Sequence, residues 1–187
     1  MLGTERKLAA LVYDDQQDPD AVLRDFADDM NAQGFRVVGM VQAGQCADSS
    51  LSAVLVHSGE TLLLAQDFDP QASGCRLDID RLRNAGARVA DALDNGADLL
   101  IINRFGKRER DGGGLGYLIE RAHDTDTPVV IAVSSQRLAD WATFAGETEQ
   151  LACQRTALDA WWRIVSTRHS KATDSEKSIP NADISHR

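Results

Sequence analysis

The chain has 187 residues, of which 43% are hydrophobic and 26% are charged, and its formal net charge is -9 at pH 7. This length and composition predict one well-cored domain and exclude two full ones. The sequence pI of about 4.8 argues against a nucleic-acid-binding protein, which would carry a broad basic surface. No run approaches the roughly 18 apolar residues of a membrane span. Three widely spaced cysteines without a CxxC pair are typical of reduced thiols, so we expect a cytoplasmic protein.

The first part of the chain has the pattern of a βαβ unit. Residues 8–13 form a continuous apolar run that predicts a buried strand. Asp18 and Pro19 predict the start of a helix, because aspartate caps a helix and proline fits its first turn. The helix is expected to end near Gly34, and residues 35–42 predict the second strand. A strand, a helix and a strand in this order indicate a parallel sheet.

The rest of the chain continues the alternation of strands and helices. Two short β-prone runs, 51–57 and 61–66, flank Ser58-Gly59-Glu60 and predict an antiparallel hairpin. The further predicted elements are a helix capped by Asp78, a buried strand over 98–103, a helix from Leu115, a buried strand over 128–133, a short helix over 138–144 and a last helix over 151–165. The pattern predicts a three-layer α/β domain over residues 1–166, with a mostly parallel sheet flanked by helices. The polar, aperiodic residues 167–187 predict a disordered tail.

The stretch NRFGKRERDGGGLG, residues 103–116, is a basic and glycine-rich loop in an acidic protein. It follows the buried strand over 98–103, and ligands of parallel sheets bind beyond the carboxyl ends of the strands. Cationic side chains and free backbone N–H groups of glycines favour a phosphate or another oxyanion. An ordinary solvated surface loop is the alternative. The predicted ligand-binding residues, from this loop and its expected neighbours, are Gln42, Cys75, Asn103, Arg104, Lys107, Arg108, Gly112, Gly113 and Gly114.

Residues 98–109 resemble the second nucleotide-binding motif of the nucleoside-triphosphatase branch of P-loop proteins. In that motif an apolar strand ends in an acidic pair, followed by an apolar residue, Gly, often Lys, and Glu. Residues 8–165 also resemble a bacterial domain family of unknown function within the P-loop NTPase superfamily. The residues that carry this resemblance are Gly39-Met-Val-Gln42, Gly74-Cys-Arg-Leu-Asp78, Asn103-Arg-Phe-Gly-Lys107, Glu109, the glycine-rich turn to Leu115, and Phe144-Ala-Gly146. The resemblance implies a P-loop-like fold and, because such members are often encoded near molybdenum-uptake or molybdenum-enzyme genes, a link to molybdenum metabolism.

The sequence departs from the P-loop pattern at both nucleotide-binding motifs. A working loop needs GxxxxGK[ST] to cradle phosphates and hold Mg²⁺, but the corresponding turn, Tyr13-Asp-Asp-Gln-Gln-Asp-Pro-Asp20, has no Gly, Lys, Ser or Thr. Asn103 and Arg104 replace the acidic pair of the second motif. The sequence therefore predicts a degenerate P-loop NTPase-like protein without catalytic residues, which binds a small oxyanion or a phosphate-bearing ligand. Molybdate is suggested only by the resemblance.

Two other functions stay open at this point. An active nucleoside-triphosphatase or nucleotide-transferring enzyme would use a rearranged site in which Glu109 or the aspartates hold Mg²⁺, a cofactor expected only with a bound nucleotide. A non-catalytic partner of a molybdenum enzyme or transporter would use the basic loop against an acidic protein surface. Separately, four aspartates offer hard oxygen ligands for a cation, although one of them, Asp18, already has a role as a helix cap. These four are Asp14, Asp15, Asp18 and Asp20.

Overall fold

The computed structural model describes residues 7–44, 50–67, 71 and 76–176, with side chains up to residue 166. The strands in these ranges are β1 (Leu8–Tyr13), β2 (Val37–Ala43), β3 (Ser52–Leu55), β4 (Thr61–Leu63), β5 (Leu99–Ile102), β6 (Val129–Ser134) and β7 (Glu149–Ala152). They form one sheet in the order β4-β3-β2-β5-β6-β1-β7. The helices are α1 (Pro19–Ala32), α2 (Ile79–Asp94), α3 (Lys107–Arg110), α4 (Tyr117–Asp124), α5 (Leu138–Ala145) and α6 (Arg155–Glu176).

The sheet combines a parallel core with an antiparallel edge. Strands β2, β5, β6, β1 and β7 run parallel to one another. Strand β3 pairs antiparallel with both β2 and β4. The α/β class and the antiparallel hairpin are thus confirmed, and this architecture is consistent with the P-loop-like class that the sequence motifs predict.

The starts of two helices follow from their caps. The carboxylate of Asp18 accepts the N–H groups of Asp20 and Ala21, each at 3.1 Å, and Pro19 occupies the first position of α1. The carboxylate of Asp78 accepts the first-turn N–H groups of α2 in the same way. These side chains satisfy backbone donors that have no partner within the helix. Both helix starts predicted from the sequence are confirmed.

Two hydrophobic clusters lie on opposite faces of the sheet. On one face α1 and α6 contribute Phe26 and Trp161, which pack with Leu11 of β1. On the other face α2, α4 and α5 cover alternate strand residues such as Ile131, and Trp141 of α5 is buried there. Successive strand residues point to opposite faces, so one apolar run in β1 or β6 serves both clusters.

Three elements differ from the expectations. Residues 107–110, predicted as loop, form the one-turn helix α3. Strand β7 includes Leu151, which was predicted to start the last helix, and that helix begins instead at Arg155. The strand was not predicted, because three of its four residues are exposed and it has no apolar run. The backbone of α6 is helical to Glu176, beyond residue 166, where the sequence predicts the polar tail to begin. The division of the chain at residue 166 stays a prediction.

Gly39 allows an unusually close approach between β2 and β5. Its φ is 134°, and a Cβ built on it would lie 1.9 Å from the carbonyl oxygen of Ile101. Only glycine fits at such a backbone contact. This contact sets the position of β2, whose carboxyl end carries Gln42. Across the described part of the chain, no helix is long and apolar enough to cross a membrane.

Candidate functional site

A cleft of about 670 Å³ opens at the carboxyl ends of β2 and β5. Its walls come from these strands, the β3–β4 hairpin, α2, α3 and the turn before α4. A volume of this size is typical of small-molecule sites, which run from roughly 300 to 1,000 Å³. The predicted ligand-binding residues that line the cleft are Gln42, Asn103, Arg104, Lys107, Arg108 and Gly113. The structure therefore brings most of the predicted residues to one cavity.

Two cationic side chains, Lys107 and Arg108, lie at the rim of this cleft. Within the part of the chain that the structure describes, neither side chain makes an ion pair or a hydrogen bond. Lys107 is exposed and Arg108 is half-buried. Arg110, on the same short helix, differs because it contacts Asp111 at 3.1 Å and Asp140 at 3.2 Å. The first two charges are therefore available to an anion, and the third is already paired.

A buried aromatic contact anchors the segment that carries these cations. The ring of Phe105 lies 5.2 Å from that of Trp141 and 5.4 Å from that of Phe144, between centroids. Its backbone N–H donates to the carbonyl oxygen of Ala132 at 2.7 Å. Aromatic pairs at such distances contribute about 0.5–1.5 kcal/mol beyond their burial. The start of α3 is thus fixed against β6 and α5.

Glu109 holds the loop on both sides of α3. Its buried carboxylate accepts the N–H of Gly106 at 2.9 Å and the N–H of Leu115 at 3.2 Å. Gly114 leaves room for this carboxylate, since a Cβ on Gly114 would lie 2.2 Å from Oε1. Both carboxylate oxygens therefore serve the backbone, which argues against the alternative in which Glu109 holds Mg²⁺.

The glycine-rich turn does not offer the free N–H groups that the sequence analysis expected. The N–H of Gly112 donates to the carbonyl of Glu109 at 3.1 Å, and those of Gly113 and Gly114 donate to the carbonyl of Arg108 at 2.8 and 3.1 Å. The prediction of free donors is wrong, because the carbonyl groups at the end of α3 lack helical partners and these amides satisfy them. Of the three glycines, only Gly113 lines the cleft.

Gln42 and Asn103 form a polar pair at the ends of their strands. The side-chain amide of Asn103 donates to the side-chain carbonyl of Gln42 at 3.3 Å, and the amide of Gln42 donates to the carbonyl of Gly44 at 2.9 Å. The side-chain oxygen of Asn103 is buried without a hydrogen-bond partner among the described residues. The pair thus places amide groups beside the cationic rim.

Arg104 is paired with an acid, unlike its two neighbours in the cleft. Its guanidinium donates to the carboxylate of Asp20 at 2.6 Å and lies 5.5 Å from the centre of the Tyr13 ring. Its φ is 26°, a region that non-glycine residues rarely adopt. Arg104 therefore joins the end of β5 to the first turn of α1, and its charge is largely balanced.

A second groove, of about 1,000 Å³, adjoins the cleft at Arg104 and lies beyond the end of β1. Its acidic residues are Asp14, Asp15, Asp18 and Asp20. Burial raises the pKa of Asp20, and the contact with Arg104 opposes this change. In the described ranges, no three His, Cys, Asp or Glu side chains form a group that could hold a metal ion. The cation site considered for these aspartates is therefore not assembled.

Arg137, which was not among the predicted site residues, lines both the cleft and the groove. It lies in a 3-10 turn, Ser135–Arg137, directly after β6. Its guanidinium is 3.8 Å from the carboxylate of Asp140. Its position directly after a buried parallel strand, where ligands of such sheets bind, is the sequence feature that could have identified it. Cys75, which was predicted to bind ligand, lies outside the described residues.

Residues 8–161 match a family described as "Protein of unknown function (DUF2478)". The chain belongs to this family. It is also similar to the Molybdenum import ATP-binding protein ModC 2 of Bradyrhizobium diazoefficiens, with 32% identity over 178 residues. That region is 92% of this chain and 20% of the relative, so this DUF2478 protein spans about a fifth of the relative's length. No solved structure matches the chain significantly.

Proposed function

We propose that this DUF2478 protein binds a small oxyanion or a phosphate-bearing ligand in the cleft at the ends of β2 and β5. The observation that carries the proposal is a pair of cations, Lys107 and Arg108, which have no partner among the described residues and lie at the rim of a concave site. The protein as a whole is acidic, so its long-range field disfavours anions, and a local pair of uncompensated cations is the feature that would attract one. Gln42 and Asn103 would orient the bound group through their amides.

We further propose that the chain is a degenerate P-loop NTPase-like protein that does not hydrolyse nucleoside triphosphates. The turn after β1, where such a protein cradles phosphates, carries aspartates and lines an acidic groove. Glu109, the candidate for holding Mg²⁺, is bonded to two backbone amides. Removing a single preorganised donor from an active site costs about 10²–10³ in rate, and each tenfold loss corresponds to about 1.4 kcal/mol of lost transition-state stabilisation. A chain that departs from both nucleotide-binding motifs is therefore not expected to hydrolyse ATP.

The relative's name supports molybdenum metabolism as the setting and molybdate as the first inorganic candidate. That name also describes an ATP-binding protein, which keeps nucleotide binding as the competing function. A contact with a molybdenum enzyme or transporter is the further alternative, and it would use the same two cations against an acidic protein surface.

Isothermal titration of the full chain with molybdate, tungstate, phosphate and ATP tests the proposed binding. We expect saturable heat with at least one of these anions, weakened by added salt because the rim contacts are electrostatic. Absence of heat with all four anions at low salt contradicts the proposal.

Phosphate release from ATP in the presence of Mg²⁺ tests the absence of hydrolysis. We expect release no faster than in buffer alone. Magnesium-dependent turnover that disappears in the Arg104→Ala variant would instead establish the enzymatic alternative, because Arg104 touches both the cleft and the groove beyond β1.

A further inference from the structure

The floor of the cleft is apolar, although its rim is cationic. The floor residues come from β2, the hairpin, α2 and the turn before α4, and they are Met40, Leu51, Ala53, Leu64, Leu82 and Leu115. All six belong to the hydrophobic cluster on that face of the sheet. Leu77, which is half-buried, completes the wall beside them. The six floor side chains are each 1–8% exposed, so the apolar surface that the cleft offers consists of their accessible edges together with Leu77.

A bare tetrahedral oxyanion would use only one part of this site. Such an ion would occupy a small fraction of about 670 Å³ and would leave Leu77 and the accessible edges of the floor residues in contact with water. Water against apolar surface is unfavourable, and a ligand that covers the surface gains the corresponding free energy. The size and the two-sided chemistry of the cleft thus exceed what an inorganic ion requires.

The acidic side chains at the cleft do not compete with an anionic ligand for Lys107 and Arg108. Glu109 accepts the backbone amides of Gly106 and Leu115. Asp111, which also lines the cleft, accepts a hydrogen bond from the Nε of Arg110 at 3.1 Å. Among the described residues at the cleft, the charges without a partner are those of Lys107 and Arg108, so the anionic end of a ligand has one favoured place.

We infer that the ligand is an amphiphilic ester, in which a phosphate or similar oxyanion is joined to an apolar body of about the size of a fused ring. The anionic group lies between Lys107 and Arg108, and the apolar body rests on the floor beside Leu77 and Leu82. This inference rests on the proposed function and adds the class of ligand to it. The apolar body of the ligand then lies beside β2, β3 and α2, away from the acidic groove beyond β1.

A series of three small probes tests this inference on the unmodified full chain. Inorganic phosphate carries only the anionic group, and 1-naphthol carries only the fused ring. The third probe, 1-naphthyl phosphate, carries both. Covering an apolar surface on the order of 100 Å² at roughly 25 cal/mol per Å² predicts that 1-naphthyl phosphate binds at least tenfold more tightly than phosphate. It should also bind at least tenfold more tightly than 1-naphthol, which lacks the charge.

A matched pair of variants locates the apolar body. Leu77→Gln places a polar amide on the wall of the cleft, and we expect it to remove most of the advantage of 1-naphthyl phosphate over phosphate. Leu63→Gln makes the same change on β4 at a side chain that is 52% exposed and outside the cleft, and the advantage should persist. Circular dichroism confirms that both variants are folded, and the probe series on the unmodified chain stands without them.

The outcomes separate the inference from the function on which it rests. If phosphate and 1-naphthyl phosphate bind with equal affinity, the amphiphilic class is overturned and anion binding stands. If the advantage of 1-naphthyl phosphate survives Leu77→Gln unchanged, the placement on this floor is overturned. If neither phosphate nor 1-naphthyl phosphate binds, the amphiphilic class is overturned, and the proposed anion site is contradicted as well when molybdate, tungstate and ATP also give no heat.

Discussion

Arg104 and Asp20 connect the end of β5 to the first turn of α1 through a hydrogen bond of 2.6 Å between guanidinium and carboxylate. The contact lies where the cleft and the acidic groove meet. Asp20 is 8% exposed, and its second oxygen has no hydrogen-bond partner within the described ranges. Among the described residues, this buried carboxylate is therefore stabilised by a hydrogen bond at only one of its two oxygens.

The raised pKa of Asp20 predicts a pH dependence of stability. Burial is the main cause, and Arg104 opposes it. Because the folded state then keeps a proton that the unfolded state has lost, the free energy of unfolding falls as pH rises from about 4 through the raised pKa. Asp20→Asn removes this contribution. Urea denaturation from pH 4 to 7 should show the difference between wild type and variant changing over that window, and a constant difference contradicts this account.

Adjacent glycines in the turn should respond differently to the same substitution. Gly114→Ala places a methyl group 2.2 Å from the Glu109 carboxylate, whereas the nearest atom to a Cβ on Gly113 is 4.0 Å away. We expect Gly114→Ala to lower the free energy of unfolding by about 1–3 kcal/mol, as for other overpacked sites, and to weaken anion binding. Gly113→Ala should leave the stability near that of wild type. Equal stability of the two variants in urea denaturation would show that Glu109 is not confined.

Removing the carboxylate of Glu109 should destabilise the loop more than its position near the surface suggests. Glu109→Ala leaves the N–H groups of Gly106 and Leu115 without their acceptor, and an unsatisfied buried group costs about 1–3 kcal/mol. Glu120→Ala, at an exposed position on α4, is the matched control, with an expected change within about 0.5 kcal/mol. Similar free energies of unfolding for the two variants would argue against the clamp.

Gly39→Ala should be the most damaging of the glycine substitutions considered. The new methyl group would lie 1.9 Å from the carbonyl oxygen of Ile101, so β2 and β5 must separate. Gly34 also has a positive φ, 93°, but open space around it, so Gly34→Ala isolates the backbone strain, which is about 1–2 kcal/mol for a residue with a Cβ. We expect Gly39→Ala to lower the thermal midpoint clearly further than Gly34→Ala, and the opposite order contradicts the close contact.

Periodicity and caps were enough to predict most of the fold. Apolar runs over β1, β5 and β6 and the caps Asp18 and Asp78 are local signals, and the structure agrees with them. Strand β7 lacks such a signal because it is short and mostly exposed. Its place beside β1 follows from long-range pairing, which local patterns do not report.

The candidate site was predictable in its location and not in its details. Lys107 and Arg108 lie where strand-end reasoning placed them. The roles of the glycine amides and of Glu109 depended on α3, a single turn whose end carbonyls capture the amides of the following residues. The pairing of Arg104 with Asp20 joins residues 84 positions apart, and the apolar floor comes from segments that are distant in sequence. Neither feature has a signature in the loop itself.

Charge reversal at the rim of the cleft tests the central claim most directly. The measurement is the affinity of the full chain for the tightest-binding anion of the titration series, in wild type, Lys107→Glu, Arg108→Glu and the control Arg110→Glu. A charge-assisted hydrogen bond contributes about 1.5–3 kcal/mol. We therefore predict at least a tenfold loss of affinity for the first two variants and a change of less than about threefold for Arg110→Glu, whose charge is already paired. Equal losses in all three variants, or no loss at Lys107 and Arg108, would contradict a cation-lined anion site.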